Sequence, residues 1–136
     1  MKPLSKTASK IFNHILSLMD SEDYIKIDNA PGSFMYVSFE RLYGTDFLGQ
    51  QATVFAMAHY YEQNGDLIPD PDMTFLQLVN QPEIIYPTSI TTSLGFKQSI
   101  WNQDGTWKIN KKEQADEAVF ASMWLKNIRE QQKLKP

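Results

Sequence analysis

The stretch His59-Tyr60-Tyr61-Glu62-Gln63-Asn64-Gly65-Asp66-Leu67-Ile68-Pro69-Asp70-Pro71-Asp72-Met73 decides how the rest of the chain is read. An aromatic run enters Asn64-Gly65, where glycine accepts the positive φ of a tight reversal, and Pro69 and Pro71 then stiffen an acidic return. The stretch reads as a β-hairpin, and a hairpin joins two strands. That settles residues 51–62, where Ala52, Ala56, Met57 and Ala58 suit a helix but Val54, Phe55, Tyr60 and Tyr61 suit a strand. They are read as a strand, with residues 73–79 beyond the acidic loop as its partner. Alternation puts Phe55, Met57, His59 and Tyr61 on one face and Val54, Ala56, Ala58 and Tyr60 on the other. Both faces are largely apolar, which suits the middle of a sheet, or a face with a helix on one side and a partner on the other.

Upstream, residues 4–20 place Leu4, Ala8, Ile11, Phe12, Ile15, Leu18 and Met19 at helical spacing, which predicts an amphipathic helix with His14 beside its apolar stripe. Residues 24–28 and 34–41 alternate as strands across the turn containing Pro31-Gly32, and residues 42–50 read as a loop. Downstream, residues 84–94 are β-branched, with Pro87 restricting them to a sheet edge or a bulge. Gly95 separates these from residues 96–101, and the turn at Asp104-Gly105 leads to residues 106–109. Asn110 caps a final helix from Lys111, with Glu113 completing an Asx form of the capping box and Phe120, Ala121, Trp124, Leu125 and Ile128 as its buried stripe. The expectation is one α+β domain over residues 1–136, an antiparallel sheet of about four to six strands flanked by an N-terminal and a C-terminal α-helix.

The chain has 136 residues, one domain's worth, and apolar and charged fractions of 42% and 21% rule against a disordered polypeptide. A net charge of −3 gives no electrostatic basis for wrapping a phosphate backbone, so nucleic acid is disfavoured as a partner. Charge is uneven: Lys111, Lys112, Lys126, Arg129, Lys133 and Lys135 gather towards the C-terminus, and Asp66, Asp70 and Asp72 at the hairpin. With no cysteine there is no disulfide framework, thiolate nucleophile or Cys-based zinc site. The lack of a long apolar run predicts neither signal peptide nor membrane span, and a cytoplasmic protein.

The hairpin resembles the His-Tyr-Tyr-Glu-Gln-Asn-Gly-Asp…Asp-Pro signature of small bacterial proteins grouped only as domains of unknown function, frequent on plasmids, conjugative elements and phages. Pro87, Ile90, Gly95 and the run from Gln98 to Trp101 are similar to the segment that follows it there. Trp124-Leu125-Lys126-Asn127-Ile128-Arg129-Glu130-Gln131 is similar to that family's C-terminal helix. The resemblance covers about residues 34–131, with Asn64, Gly65, Asp66, Asp70 and Pro71 as its structural signature. It implies an α+β domain and a mobile-element context, and no cofactor or catalytic residue.

The hairpin is also where carboxylates crowd around a histidine. Glu62, Asp66, Asp70 and Asp72, with His59, are candidate hard ligands for Mg²⁺ or Ca²⁺, with a bound water as nucleophile. Asp and Asn are equally the residues that turns select, and the central Gly and distal Glu of an EF-hand loop are missing, so no metal or cofactor is expected. His59 and Glu62 are the candidates for general acid–base work, although no Ser or Lys stands at triad spacing and a His59 packed among aromatics and hydrogen-bonded to a neighbour is the simpler reading. Trp107, with Lys126 and Arg129, is the candidate set for single-stranded nucleic acid. The reading the sequence favours is a non-enzymatic accessory protein that binds a protein partner, or its own copy as a homodimer, through an apolar sheet face or edge. A metal-assisted hydrolase at the acidic hairpin and a single-strand binder are the alternatives.

Overall fold

The computed structural model describes residues 1–19 and 22–134. Among them the element order is α1 (Lys6–Ser17), β1 (Tyr24–Ile27), β2 (Val37–Phe47), β3 (Gln50–Gln63), β4 (Asp66–Leu78), β5 (Ile85–Thr92), β6 (Gly95–Gln98), β7 (Ile100–Gln103), β8 (Thr106–Ile109) and α2 (Lys111–Gln131). Strands β1 to β6 form one antiparallel sheet in sequential order, and β7 and β8 pair as a second, two-stranded sheet. The fold is thus α+β, a meander whose terminal helices flank it.

Two-residue turns set the registers. Leu48-Gly49, Asn64-Gly65 and Asp104-Gly105 each have positive φ at both central positions, the signature of the type I′ turn that matches the twist of paired strands. The first lies in the segment predicted as a loop. Residues 42–47 instead continue β2, because a bulge between Arg41 and Tyr43 absorbs Leu42 and pairing resumes from Tyr43↔Val54 to Phe47↔Gln50. At its other end β2 starts at Val37, leaving Phe34 and Met35 exposed before it.

Helix α1 is shorter than predicted, because Ser5 caps it by accepting a hydrogen bond from the Ala8 N–H at 3.2 Å and ordered helix ends at Ser17. Asp20, taken as its end, lies outside the described residues, as do Ser21 and Lys135. Helix α2 begins as predicted, with the Asn110 side chain accepting from the Glu113 N–H at 3.1 Å. The reciprocal half of the capping box is not made: the Asn110 N–H goes to the Ser99 carbonyl, and the Glu113 carboxylate faces Lys97 at 4.0 Å.

Both helices lie on one face of the sheet. The ring of Phe12 on α1 stands edge-on to Phe39, Phe55 and Phe75 at 5.0, 5.4 and 5.3 Å, and Ala121, Trp124, Leu125 and Ile128 of α2 complete this core. Phe12 is fully buried, so its truncation to Ala should cost about 3–5 kcal/mol. On the opposite face, the β7–β8 hairpin covers one end of the sheet, packing Ile100, Trp107 and Ile109 on Phe47, Ala52, Val54, Leu76 and Leu78. The other end of that face has no element over it among the described residues.

Candidate functional site

The β3–β4 hairpin reaches beyond its neighbours. Strand β2 pairs with β3 only as far as Val37↔His59, and β5 pairs with β4 only as far as Asp72↔Thr91. The rungs Tyr60↔Pro69, Tyr61↔Ile68, Glu62↔Leu67 and Gln63↔Asp66 therefore form a two-stranded ribbon projecting from the sheet. This corrects the prediction of an acidic loop: Asp66, Asp70 and Asp72 belong to a strand. The prolines are tolerated because the ribbon has no third strand needing their missing N–H. Pro71 is buried in a bulge, where Asp70 and Pro71 oppose the single residue His59, and the Asp70–Pro71 peptide is cis.

The carboxylates do not converge. Along β3, Glu62 is four residues beyond the Ala58↔Asp72 rung, or about 13 Å at the rise of a strand, and Asp66 opposes Gln63 at the tip. Among the described residues no group of three or more His, Asp or Glu side chains is placed to hold one metal ion. His59 turns to the helix face, where its Nδ1 accepts a hydrogen bond from the Trp124 indole N–H at 3.2 Å and the rings meet edge-on. The proton therefore sits on Nε2, which has no hydrogen-bond partner. Burial lowers the affinity of His59 for a second proton, which keeps it neutral.

The open part of the sheet carries a different set. Reading across the strands, Glu40, Ala56, Thr74, Ser89 and Gln98 form one row, and Ser38, Ala58, Asp72, Thr91 and Phe96 the next. Its floor is small and hydroxylic, with Thr74 hydrogen-bonded to Thr88 and Ser89. Aromatic side chains stand at its margins: Tyr24, Tyr36 stacked on Tyr60 at 6.0 Å, and Phe96, 61% exposed. A cavity of about 460 Å³ lies where this floor runs under the hairpin, between Tyr43 and Phe96 and beneath Trp101 and Trp107.

Two carboxylates share this face. Burial, and then repulsion from Glu40, push the Asp72 carboxyl above the usual aspartate range. Burial, with Tyr36, Tyr60 and Glu40 nearby, raises the Tyr24 phenol. The ion pairs of the described residues, Arg41–Asp23, Lys97–Glu113 and Arg129–Glu130, involve neither Glu40 nor Asp72. Lys26, paired with Ser38 on the same face, has its Nζ over the Tyr36 ring at 4.2 Å.

Sequence reasoning missed a second arrangement. Glu117 on α2 is only 3% exposed, with Oε1 at 2.7 Å from the Ser99 hydroxyl and Oε2 unpartnered. Burial is the main cause that pushes its carboxyl up to about 7, Glu113 and Asp116 add to it, and the Ser99 bond and Lys97 oppose it. The signal was present: Gln114, Glu117, Ala118, Ala121, Trp124, Leu125 and Ile128 form the buried line of the helix, and Glu117 is its one carboxylate.

The family described as domain of unknown function DUF6908 matches residues 6–134. The chain belongs to it. The match takes in α1, which the resemblance to a domain-of-unknown-function family had left outside its residues 34–131. No curated protein and no solved structure matches the chain.

The DUF6908 domain does not bring the nucleic-acid candidates together. Trp107 packs edge-on against Phe47 at 4.8 Å and donates its indole N–H to the Asp46 carbonyl, on the hairpin side of the sheet. Lys126 is exposed on α2, in the helix layer, and Arg129 pairs there with Glu130 at 3.5 Å. No helix among the described residues is long and apolar enough to cross a membrane.

Proposed function

We propose that this DUF6908 domain is a non-enzymatic binding module that holds a basic segment of a protein partner on the open face of its sheet. The observation that carries the reading is the placing of Glu40 and Asp72 on one half-covered floor, with no cation paired to either among the described residues. The half-buried Asp72 carboxylate without a partner is costly, and an arginine or lysine laid beside it, over half-buried Ala56 and towards exposed Glu40, supplies one. The tyrosines at the margin offer ring faces to the same cation, in the way Tyr36 already receives Lys26. The small floor admits an extended backbone, and the adjoining cavity offers room for an apolar side chain. A bacterial mobile element and a cytoplasmic setting belong to this proposal, since an accessory protein there acts by capturing another protein.

The test is a resonance titration with a short arginine-rich peptide. The amides of Ala56, Ala58, Asp72 and Thr74 should shift, those of α2 should not, and the affinity should fall with salt. Changing Glu40→Gln and Asp72→Asn together should weaken binding about tenfold or more, equivalent to about 1.4 kcal/mol. Shifts confined to the Asn64-Gly65 tip, or an affinity that the double variant leaves unchanged, would overturn the reading.

A further inference from the structure

Ser99 is the residue at which the chain leaves the six-stranded sheet and enters the β7–β8 hairpin. Its backbone is fixed on both sides: its N–H donates to the Thr88 carbonyl of β5 at 2.8 Å, and its carbonyl accepts from the Asn110 N–H at 2.8 Å. Its hydroxyl has a single hydrogen but two acceptors in reach, the Thr88 carbonyl at 3.2 Å and Glu117 Oε1 at 2.7 Å. Counting hydrogens decides which state the junction suits. If Glu117 is protonated, its O–H donates to Ser99 Oγ and the Ser99 hydrogen is free for Thr88, so each contact carries a proton. If Glu117 ionises, its proton passes to solvent and the Ser99 hydrogen must turn to Oε1. The Thr88 carbonyl then loses that bond, and a buried Oε2 becomes part of an unpaired charge.

We propose that Glu117 and Ser99 form a proton-controlled latch that holds the β7–β8 hairpin against the sheet and so sets the width of the groove between them. The regulatory meaning of the latch rests on the open face being a binding surface; the latch itself does not. The hairpin supplies Ile100, Trp101, Asn102 and Trp107 to the cavity at the end of that face, so its posture is the posture of the cavity wall. The charged groups facing Glu117 are Glu113 and Asp116 from its own helix and Lys97 from β6, and the neighbouring part of β5 contributes Ile90 and Thr92, which do not titrate. Two like charges against one opposite charge favour the protonated, closed state. Loss of the proton makes the Ser99–Glu117 contact charge-assisted, but it leaves the Thr88 carbonyl with the Ser99 N–H alone. It also puts charge on the buried, unpartnered Oε2, a cost that is relieved when the hairpin opens the groove to water.

The experiment is amide hydrogen exchange on the full chain without any ligand, with intrinsic rates corrected for pH and residues 52–57 of β3 as the internal reference. Protection of residues 100–109 should fall about tenfold as pH rises through the ionisation of Glu117, while that of β3 holds. Glu117→Gln should keep the hairpin protected across the range, because the amide donates to Ser99 at every pH. Ser99→Ala should leave the hairpin weakly protected throughout. A carbon-detected titration of the Glu117 carboxyl in the unaltered protein makes the result independent of how the variants fold. A carboxyl that titrates while hairpin protection stays flat would sink the latch, and so would a loss spread evenly over β3 and the hairpin. Because no peptide enters this measurement, failure of the latch and failure of the binding-module reading are read separately.

Discussion

At the scale of single residues, two buried groups pull the pH dependence of stability in opposite directions. Glu117 has its folded-state carboxyl raised to about 7 from an ordinary value of 4.5, chiefly by burial. A raised acid contributes stability that is complete below the unfolded value and is lost as pH climbs to the folded one, so the loss falls between about pH 4.5 and 7 and amounts to roughly 3 kcal/mol at most. His59, lowered by burial, contributes stability present above the unfolded histidine value and lost as pH falls below it. Urea unfolding at about pH 5 and pH 8 should therefore show Glu117→Gln gaining over the unaltered protein at the higher pH by on the order of 1–3 kcal/mol. Equal midpoints for the two proteins at pH 8 would mean that Glu117 ionises without cost. The pairing of Trp124 with His59 predicts that Trp124→Phe, which keeps the aromatic packing and removes the donor, costs about 1–2 kcal/mol by denaturant unfolding. Glu117 was not singled out from the sequence, whereas Trp124 was placed in the buried stripe of its helix and His59 was read as packed among aromatics and hydrogen-bonded to a neighbour. His59 drew attention as a possible base, but whether a histidine faces carboxylates or an indole depends on which face a helix covers, and strand alternation alone does not say.

At the scale of elements, the Asn64-Gly65 hairpin was legible because its chemistry is local: both central residues have positive φ, which Asn and Gly adopt at little cost. Replacing Gly65 by Val should destabilise by about 1–3 kcal/mol through backbone strain alone, since a Cβ there meets nothing within 4 Å. Because the ribbon projects beyond β2 and β5, the loss should appear first as faster amide exchange in residues 60–69, and unchanged exchange there would contradict the strain argument. Residues 66–72 were misread as a loop for a physical reason. Asp and Pro disfavour strands only where a neighbouring strand needs their N–H or their alternating apolar face, and a free ribbon needs neither. The same geometry separates the carboxylates, so millimolar Mg²⁺ or Ca²⁺ should leave the melting temperature unmoved, and a clear metal-dependent rise would show that Asp66, Asp70 and Asp72 meet after all. The strand of residues 42–47 was hidden likewise, since a bulge at Leu42 is a property of the pair and not of either strand.

At the scale of the whole molecule, the question is what a half-covered sheet does in water. The apolar pattern on both faces of β3 was legible, and it placed the strand inside the sheet, where β3 lies between β2 and β4. It did not reveal that the cover on the second face is a hairpin over half its length, or that the remaining floor is made of Ala, Ser and Thr with two carboxylates. The sheet edges offer little to a second copy. Strands β1 and β6 are four residues long, and β5 beyond β6 is closed by the Leu4 N–H on the Ile85 carbonyl, by Gln114 on Pro87 and by Ser99 on Thr88. Gln114 also exchanges two hydrogen bonds with the Lys2 backbone at 2.7 Å, which ties the N-terminal segment along that edge. A two-fold dimer through the open face brings Glu40 and Asp72 towards their own copies, and like charges brought together across an interface cost several kcal/mol. The expectation is a monomer at micromolar concentration and moderate salt, with a mass by light scattering that does not rise with concentration. High salt screens exposed like charges within a few ångströms, so if the face associates at all it should do so only there, and Asp72→Asn should favour the dimer. A concentration-dependent dimer at low salt, unchanged by Asp72→Asn, would show that the face meets its own copy and not a basic partner.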